Sequence, residues 1–160
     1  MSTLAQQIQL QENCGADFAM RNPLVLQAYN GFTAYQPSFH AGCLKDSDGN
    51  YCYANAATNS TSPTSGYIYY LPLGVSLPQG TNPTCSRCLR DTMSVFAAYA
   101  SNSSQPLNAV YNDAAQQVDT SCGNRFVEAT IQTTSVAALV SVHFGLALAV
   151  LTVLLFQLLL

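Results

Sequence analysis

Charge is scarce in this chain. Of its 160 residues 8% are charged, five basic and eight acidic, and the formal net charge is −3. Lysine occurs once, at Lys45. A nucleic-acid partner demands a basic patch or stripe, and this balance excludes that class. Histidine is almost missing too, with His40 and His143 as the two. A Ser-His-Asp arrangement needs a base. His40 is the one histidine outside the C-terminal apolar zone, and its neighbours Ser38 and Phe39 form no nucleophile motif. A zinc site built on Cys85-Ser86-Arg87-Cys88 needs a second Cys or His pair at matching spacing, which two isolated histidines do not supply. Asp17, Asp46, Asp48, Asp91, Asp113 and Asp119 offer carboxylates for a glycosidase-type pair. Their spacing singles out no two, and solvated surface acids are the default. No residue is assigned a catalytic, cofactor-binding or metal-binding role.

A secretory leader is also lacking. Residues 1–11 (MSTLAQQIQLQ) have no basic n-region and no apolar run. The expectation is a truncated or mis-started chain. The alternative is a tail-anchored protein with its domain in the cytosol, where thiols stay reduced. Six cysteines and two glycosylation sequons favour the lumen.

What the chain does have is a greasy end. Residues 144–160 read FGLALAVLTVLLFQLLL, and no charge follows. The zone 136–160 is long enough to span a bilayer, which takes about 20 apolar residues. It also fits a removable glycosylphosphatidylinositol (GPI) signal: small residues at the attachment site, a spacer, then a hydrophobic tail. Ser135, Val136 and Ala137 form the expected attachment site, with Ser135 as acceptor. A permanent span usually carries basic residues on its cytoplasmic flank, and none is present here. The GPI reading is preferred over a transmembrane helix. Either route makes the membrane a partner.

The remaining region is of domain size. Residues 1–13 are Gln-rich, a short helix packing by one edge or a frayed end. Residues 14–126 form the expected cysteine-rich domain, 127–135 a stalk, and 136–160 the anchor. Within the domain, Asn22-Pro23 starts a helix over 23–36. Its stripe Val25, Tyr29, Phe32 and Tyr35 has helical period and is read as core packing. A second short helix is expected over 37–44. Asp46, Asp48 and Asn50 are spaced like part of a calcium loop but lack the distal Glu, so the segment is read as a solvated turn. Residues 67–80 (YIYYLPLGVSLPQG) are rich in aromatics. Pro72 and Pro78 forbid a regular central strand, and the segment is expected to lie extended over the helices. Exposed, Tyr67, Tyr69 and Tyr70 would form a ligand surface; burial is the ordinary alternative. The clearest helix spans 83–101, with Thr84 as N-cap and Cys85, Cys88, Leu89, Thr92, Met93, Phe96, Tyr99 and Ala100 on one stripe. A further helix opens at Pro106 and turns Leu107, Val110, Tyr111, Ala114 and Val118 inward. The sequons place glycans at Asn59 and Asn102.

The cysteines carry the architecture. In a βαβ protein Cys85-x-x-Cys88 suggests thioredoxin-like chemistry, but no strand–helix alternation is visible. The structural reading puts all six, Cys14, Cys43, Cys52, Cys85, Cys88 and Cys122, in disulfides. The expected pairing closes Cys43–Cys52 locally and joins Cys85 and Cys88 to Cys14 and Cys122. The fold class is all-α: a small disulfide-stapled helical domain with a long extended loop, plus a C-terminal hydrophobic helix.

The runs Cys43-Leu44, Tyr51-Cys52-Tyr53, Leu71-Pro72-Leu73-Gly74, Cys85-Ser86-Arg87-Cys88-Leu89-Arg90-Asp91-Thr92-Met93, Gln105-Pro106-Leu107 and Cys122-Gly123 carry a resemblance. They resemble a cysteine-rich domain of unknown function from filamentous ascomycete fungi, over roughly 14–126. The resemblance implies a secreted, GPI-anchored fungal surface protein and transfers no activity. Three functions are weighed. The first is a non-catalytic cell-surface or wall-associated module, and it is adopted. The second is a glycan- or small-ligand-binding domain, which a groove lined by Tyr67, Tyr69 and Tyr70 would favour. The third is a wall-polysaccharide hydrolase, which converging carboxylates would favour.

Overall fold

The computed structural model describes residues 2–131. Among the described residues seven α-helices and two 3-10 segments follow one another: α1 (Ser2–Ile8), α2 (Gly15–Ala19), α3 (Pro23–Thr33), α4 (Tyr35–Gly42), α5 (Cys52–Ala57), η1 (Pro63–Leu73), α6 (Arg87–Ala100), η2 (Pro106–Ala109) and α7 (Tyr111–Cys122). Among the described residues there is no strand, only an isolated antiparallel bridge between Lys45 and Tyr51. The all-α expectation holds over this range. Ser135 and the expected hydrophobic helix over 136–160 lie outside the described residues.

The core is built by α6, α7, η1 and η2. On α6, Leu89, Thr92, Met93, Phe96 and Ala100 recur at helical spacing and are buried. On α7, Tyr111, Ala114, Ala115 and Val118 face them, joined by Leu107 of η2 and by Val110. All five inward residues expected for this region are buried. Fully burying a side chain of this class contributes roughly 1.5–3 kcal/mol, and this cluster is where the domain concentrates such burial.

The other segments depart from expectation in instructive ways. The helix expected over 23–36 stops at Thr33, and α4 begins at Tyr35 after a bend at buried Ala34. Pro37 has no N–H to offer a continuing helix. The bend places it in the first turn of α4, where no intrahelical donor is required. The stripe Val25, Tyr29 and Phe32 is half-buried rather than core, and Tyr35 is exposed. Phe18 covers Tyr29 edge to face at 4.9 Å, so α2 and α3 form a peripheral layer with α1 packed on α3.

Of the segment expected to be extended over 67–80, residues 67–73 belong instead to the 3-10 helix η1, while residues 75–78 lie outside any helix. A 3-10 turn has three residues, so every third side chain eclipses. Ser65, Ile68 and Leu71 are buried in one row, while Tyr67, Tyr70 and Leu73 are exposed in another. Gly74 ends the segment at φ 77°. A Cβ there would meet Pro106 Cβ at 3.1 Å. Glycine supplies both the left-handed backbone and the close approach.

Residues 127–131, read as the start of a stalk, pack on the domain. Val127 is buried, and Phe126, Ala129 and Ile131 pack against the core. The Tyr111 hydroxyl donates to Glu128 O at 2.8 Å, and Ile131 N donates to Asn112 Oδ1 at 3.2 Å. The Asp119 carboxylate accepts from Arg125 N and Val127 N. The chain therefore stays on the domain to residue 131.

All six cysteines lie among the described residues; Cys85–Cys122 is one of the pairings expected, while Cys43–Cys52 and any bond to Cys14 are not formed. Cys52 is bonded to Cys88 and Cys85 to Cys122, with Cα–Cα separations of 5.3 and 5.4 Å. Cys14 and Cys43 are free. The cause is where α6 starts. A helix from Pro83 would put Cys85 and Cys88 on one face. The helix in fact begins at Arg87, capped by the Ser86 hydroxyl accepting from Leu89 N at 3.2 Å. Cys85 therefore lies on non-helical chain and bonds to the end of α7, while Cys88 sits in the first turn and bonds to α5. Cys52 is buried at the start of α5, and Cys43 is left exposed at the end of α4. The bridges close loops of 36 and 37 residues. Loops of that length are worth about 4 kcal/mol each in the chain-entropy account.

Candidate functional site

A cleft of about 240 Å³ opens beside the Cys52–Cys88 bridge. Its floor is apolar: Ile68 and Tyr69 from η1, Leu89 from α6, and the bridge itself. One wall is α5, through Asn55 and Ala56, continued by Asn59. The opposite wall is the chain leading into α6, Pro83 to Ser86. Lys45, Asp46, Ser47 and Arg87 stand at the mouth. A second groove of about 510 Å³ runs along α6 and residues 125–130. Arg90 stacks on Phe126 within it, at 4.7 Å from the ring centroid. The first cleft has the combination typical of ligand sites, an apolar base with a few converging polar groups.

Each wall residue is positioned by a local reason. Ser65 is buried on the inner row of η1; its hydroxyl accepts from Thr84 N at 3.1 Å and donates to Ser62 Oγ at 3.1 Å. The Asn59 carbonyl oxygen accepts from Thr61 N, Thr61 Oγ1 and Ser62 N, which turns the chain from α5 into η1. Its amide donates across the cleft wall to Thr84 Oγ1 at 2.8 Å. In the floor, the Tyr69 hydroxyl and Thr92 Oγ1 share a hydrogen bond of 3.1 Å. Tyr53 meets the Tyr69 ring edge to face at 4.9 Å. Burial raises the Tyr69 pKa, with the neighbouring Tyr53 adding to it and the Thr92 bond opposing.

The mouth is electrostatically uneven. Partial desolvation works to raise the Asp46 pKa. Bonds from Asn50 N, Asn55 Nδ2 and Asp48 N, helped by Asn50 Nδ2, outweigh it and hold the carboxyl below its ordinary value. Asp46 thus organises its own turn, as the solvated-turn reading expects. Arg87 pairs with Asp91 one turn on, at 3.3 Å. Lys45 sits over the Tyr51 ring at 4.8 Å and makes no ion pair among the described residues.

The predicted ligand residues separate. Tyr69 lies in the cleft floor, while Tyr67 and Tyr70 face solvent at 43% and 53% exposure. The period of three on η1 forbids all three from sharing a face. The three do not line one groove, the arrangement that would have favoured the ligand-binding alternative, nor are all three buried. Asn59 is a half-buried wall residue; Asn102 is exposed on the turn after α6, its carbonyl oxygen accepting from Ser104 N and Oγ. His40 shares a hydrogen bond of 2.9 Å between its Nδ1 and the Tyr99 hydroxyl. Among the described residues no group of three or more His, Cys, Asp or Glu side chains is placed to hold a metal ion. Nor is any helix among them long and apolar enough to cross a membrane.

Sequence reasoning missed Asn55, Ser86 and Thr92 as cleft residues. Thr92 was legible as an inward position of α6. Asn55 and Ser86 were not, because they meet only when the bridge brings α5 against the start of α6.

The family described as Domain of unknown function (DUF7729) matches over residues 1–131. No curated protein matches the chain, and no solved structure does.

Proposed function

The chain belongs to this family, and from that premise we propose that it is a non-catalytic cell-surface or wall-associated fungal protein, held at the outer face of the membrane by its C-terminal end. Its working part is the disulfide-floored cleft, which binds a small ligand. The observation that carries the reading is the pair of long-range bridges, Cys52–Cys88 and Cys85–Cys122. Such bonds persist in oxidising compartments and are rare where thiols are kept reduced. The apolar end over 136–160 supports attachment, as a GPI signal cleaved after Ser135 or as a transmembrane helix. The sequons at Asn59 and Asn102 support passage through the secretory route.

A glycan on the outer surface is the second reading. Tyr67 and Tyr70, three residues apart and both exposed on η1, support it. The hydrolase reading has less support. Asp46 supplies the carboxylate in the cleft lining, and its oxygens are taken up by turn amides.

Intact mass of the surface-extracted protein, before and after reduction, alkylation and phospholipase treatment, tests the reading. The expected result is two bridges, two alkylatable thiols at Cys14 and Cys43, and a lipid released by phospholipase or a retained apolar end. Six alkylatable thiols without reduction overturn it.

A further inference from the structure

We propose that the cleft beside Cys52–Cys88 takes a small amphipathic anion: an apolar ring or short chain seated on the floor, with a carboxylate or similar acid group at the mouth against Lys45. The inference rests on the ligand-binding reading above and adds the class of ligand.

Three observations lead to it. The floor offers nothing polar to a ligand that is not already engaged. Ile68 and Leu89 are buried, the sulfurs are bonded to each other, and the Tyr69 hydroxyl is shared with Thr92. The ligand part in contact with it is therefore apolar.

The second observation is charge. Three charged groups stand at the mouth, and two of them have polar or charged partners. Asp46 is occupied by Asp48 N, Asn50 N and Asn55 Nδ2, and Arg87 by Asp91. Lys45, the only lysine of a chain with net charge −3, has no acidic partner among the described residues. An ammonium beside a low-dielectric floor attracts an acid more strongly than it would in open water. The uncommitted charge of this site is positive, so the complementary group is an anion.

The third is size. At about 240 Å³ the cleft lies below the roughly 300–1,000 Å³ of sites for drug-sized ligands. It suits a single ring or a short chain with one head group, not an oligosaccharide.

A matched pair of probes separates charge from shape: 3-phenylpropionate and its primary amide, titrated into the isotope-labelled full chain in neutral detergent and followed by amide NMR shifts. The expected result is shifts centred on Ile68, Tyr69 and Leu89, with the acid bound about fivefold tighter than the amide, the upper range for a partly exposed charge pair. Lys45→Gln is expected to remove that preference while the amide binds as before. Ala56→Phe, which fills the cleft from its α5 wall, is expected to abolish the shifts with both probes. If acid and amide bind equally, and Ala56→Phe still removes both, the anionic class is overturned while the cleft stands. If neither probe shifts the floor residues, the ligand-binding reading falls with it. Should Ala56→Phe disturb folding, the location of the shifts in the unaltered chain decides alone.

Discussion

The side-chain amide of Asn59 donates to Thr84 Oγ1 over 2.8 Å, bridging 25 positions of sequence. A residue whose local sequence marks it for glycosylation thus ties the end of α5 to the chain that enters α6. Asn59 and Thr84 both line the cleft.

That bond separates the two sequons. Asn59 uses its carbonyl oxygen and its amide, whereas Asn102 is exposed with its amide directed to no protein acceptor among the described residues. Asn59→Gln is expected to lower stability by about 1–2 kcal/mol, since a longer side chain cannot satisfy both ends. Asn102→Gln is expected to stay within about 0.5 kcal/mol, as exposed surface changes do. Urea unfolding checks both. Glycopeptide mapping of material from a eukaryotic host is expected to find Asn102 occupied more fully than Asn59.

The cysteines divide in the same manner. Cys88→Ser or Cys122→Ser is expected to cost about 3–4 kcal/mol, the value of a bridge closing a loop of this length. Cys43→Ser, at an exposed unbonded position, is expected to change stability by less than about 0.5 kcal/mol. If Cys43→Ser proves as damaging as Cys88→Ser, the pairing described above is wrong.

Tyr111 joins the core to the chain that follows α7. Its hydroxyl donates to Glu128 O and also lies 3.3 Å from Met93 O. Tyr111→Phe is expected to cost about 1 kcal/mol, because it removes the hydrogen bond that ties the buried ring to Glu128 O. Burial first, then the nearby Glu128 and Asp119 charges, raise the pKa of this phenol far above its ordinary value. The unfolded chain therefore releases the proton first. The stabilisation is complete below about pH 10 and is lost as pH rises beyond it. Tyr111→Phe should flatten the alkaline limb of a stability-against-pH curve.

Asp46 gives the opposite limb. Its folded-state pKa is lowered by the turn amides that bond it, so its contribution is present above about pH 4 and lost as pH falls through the folded value. Asp46→Asn should shallow the acid limb. The same substitution removes the negative charge at the cleft mouth, so binding of an acidic probe should hold or tighten.

Several features were legible in the chain itself. The stripe Leu89, Thr92, Met93, Phe96 and Ala100 fixes the buried face of α6 because helical period is a local property. Leu107, Val110, Tyr111, Ala114 and Val118 do the same for the segment that follows. Asn22 and Pro23 mark a helix start, and Asp46 marks a turn, because caps and turns are made within a few residues.

Other features were decided only in three dimensions. YIYYLPL has no sequence mark that separates extended chain from a 3-10 helix; what settles it is the burial of Ser65, Ile68 and Leu71 as η1 packs against α4, α5 and η2, which sends Tyr69 inward and leaves Tyr67 and Tyr70 outside. The start of α6 at Arg87 rather than Pro83 depends on Ser86 outcompeting Thr84 as cap while Thr84 bonds to Asn59 and Ser65. That shift turns Cys85 away from Cys88 and selects Cys122 and Cys52 as their partners. Sequence fixes side chains along a helix or turn, where neighbours are a few residues away. Disulfide choice and a cleft wall join residues dozens of positions apart, and only the packed chain brings those together.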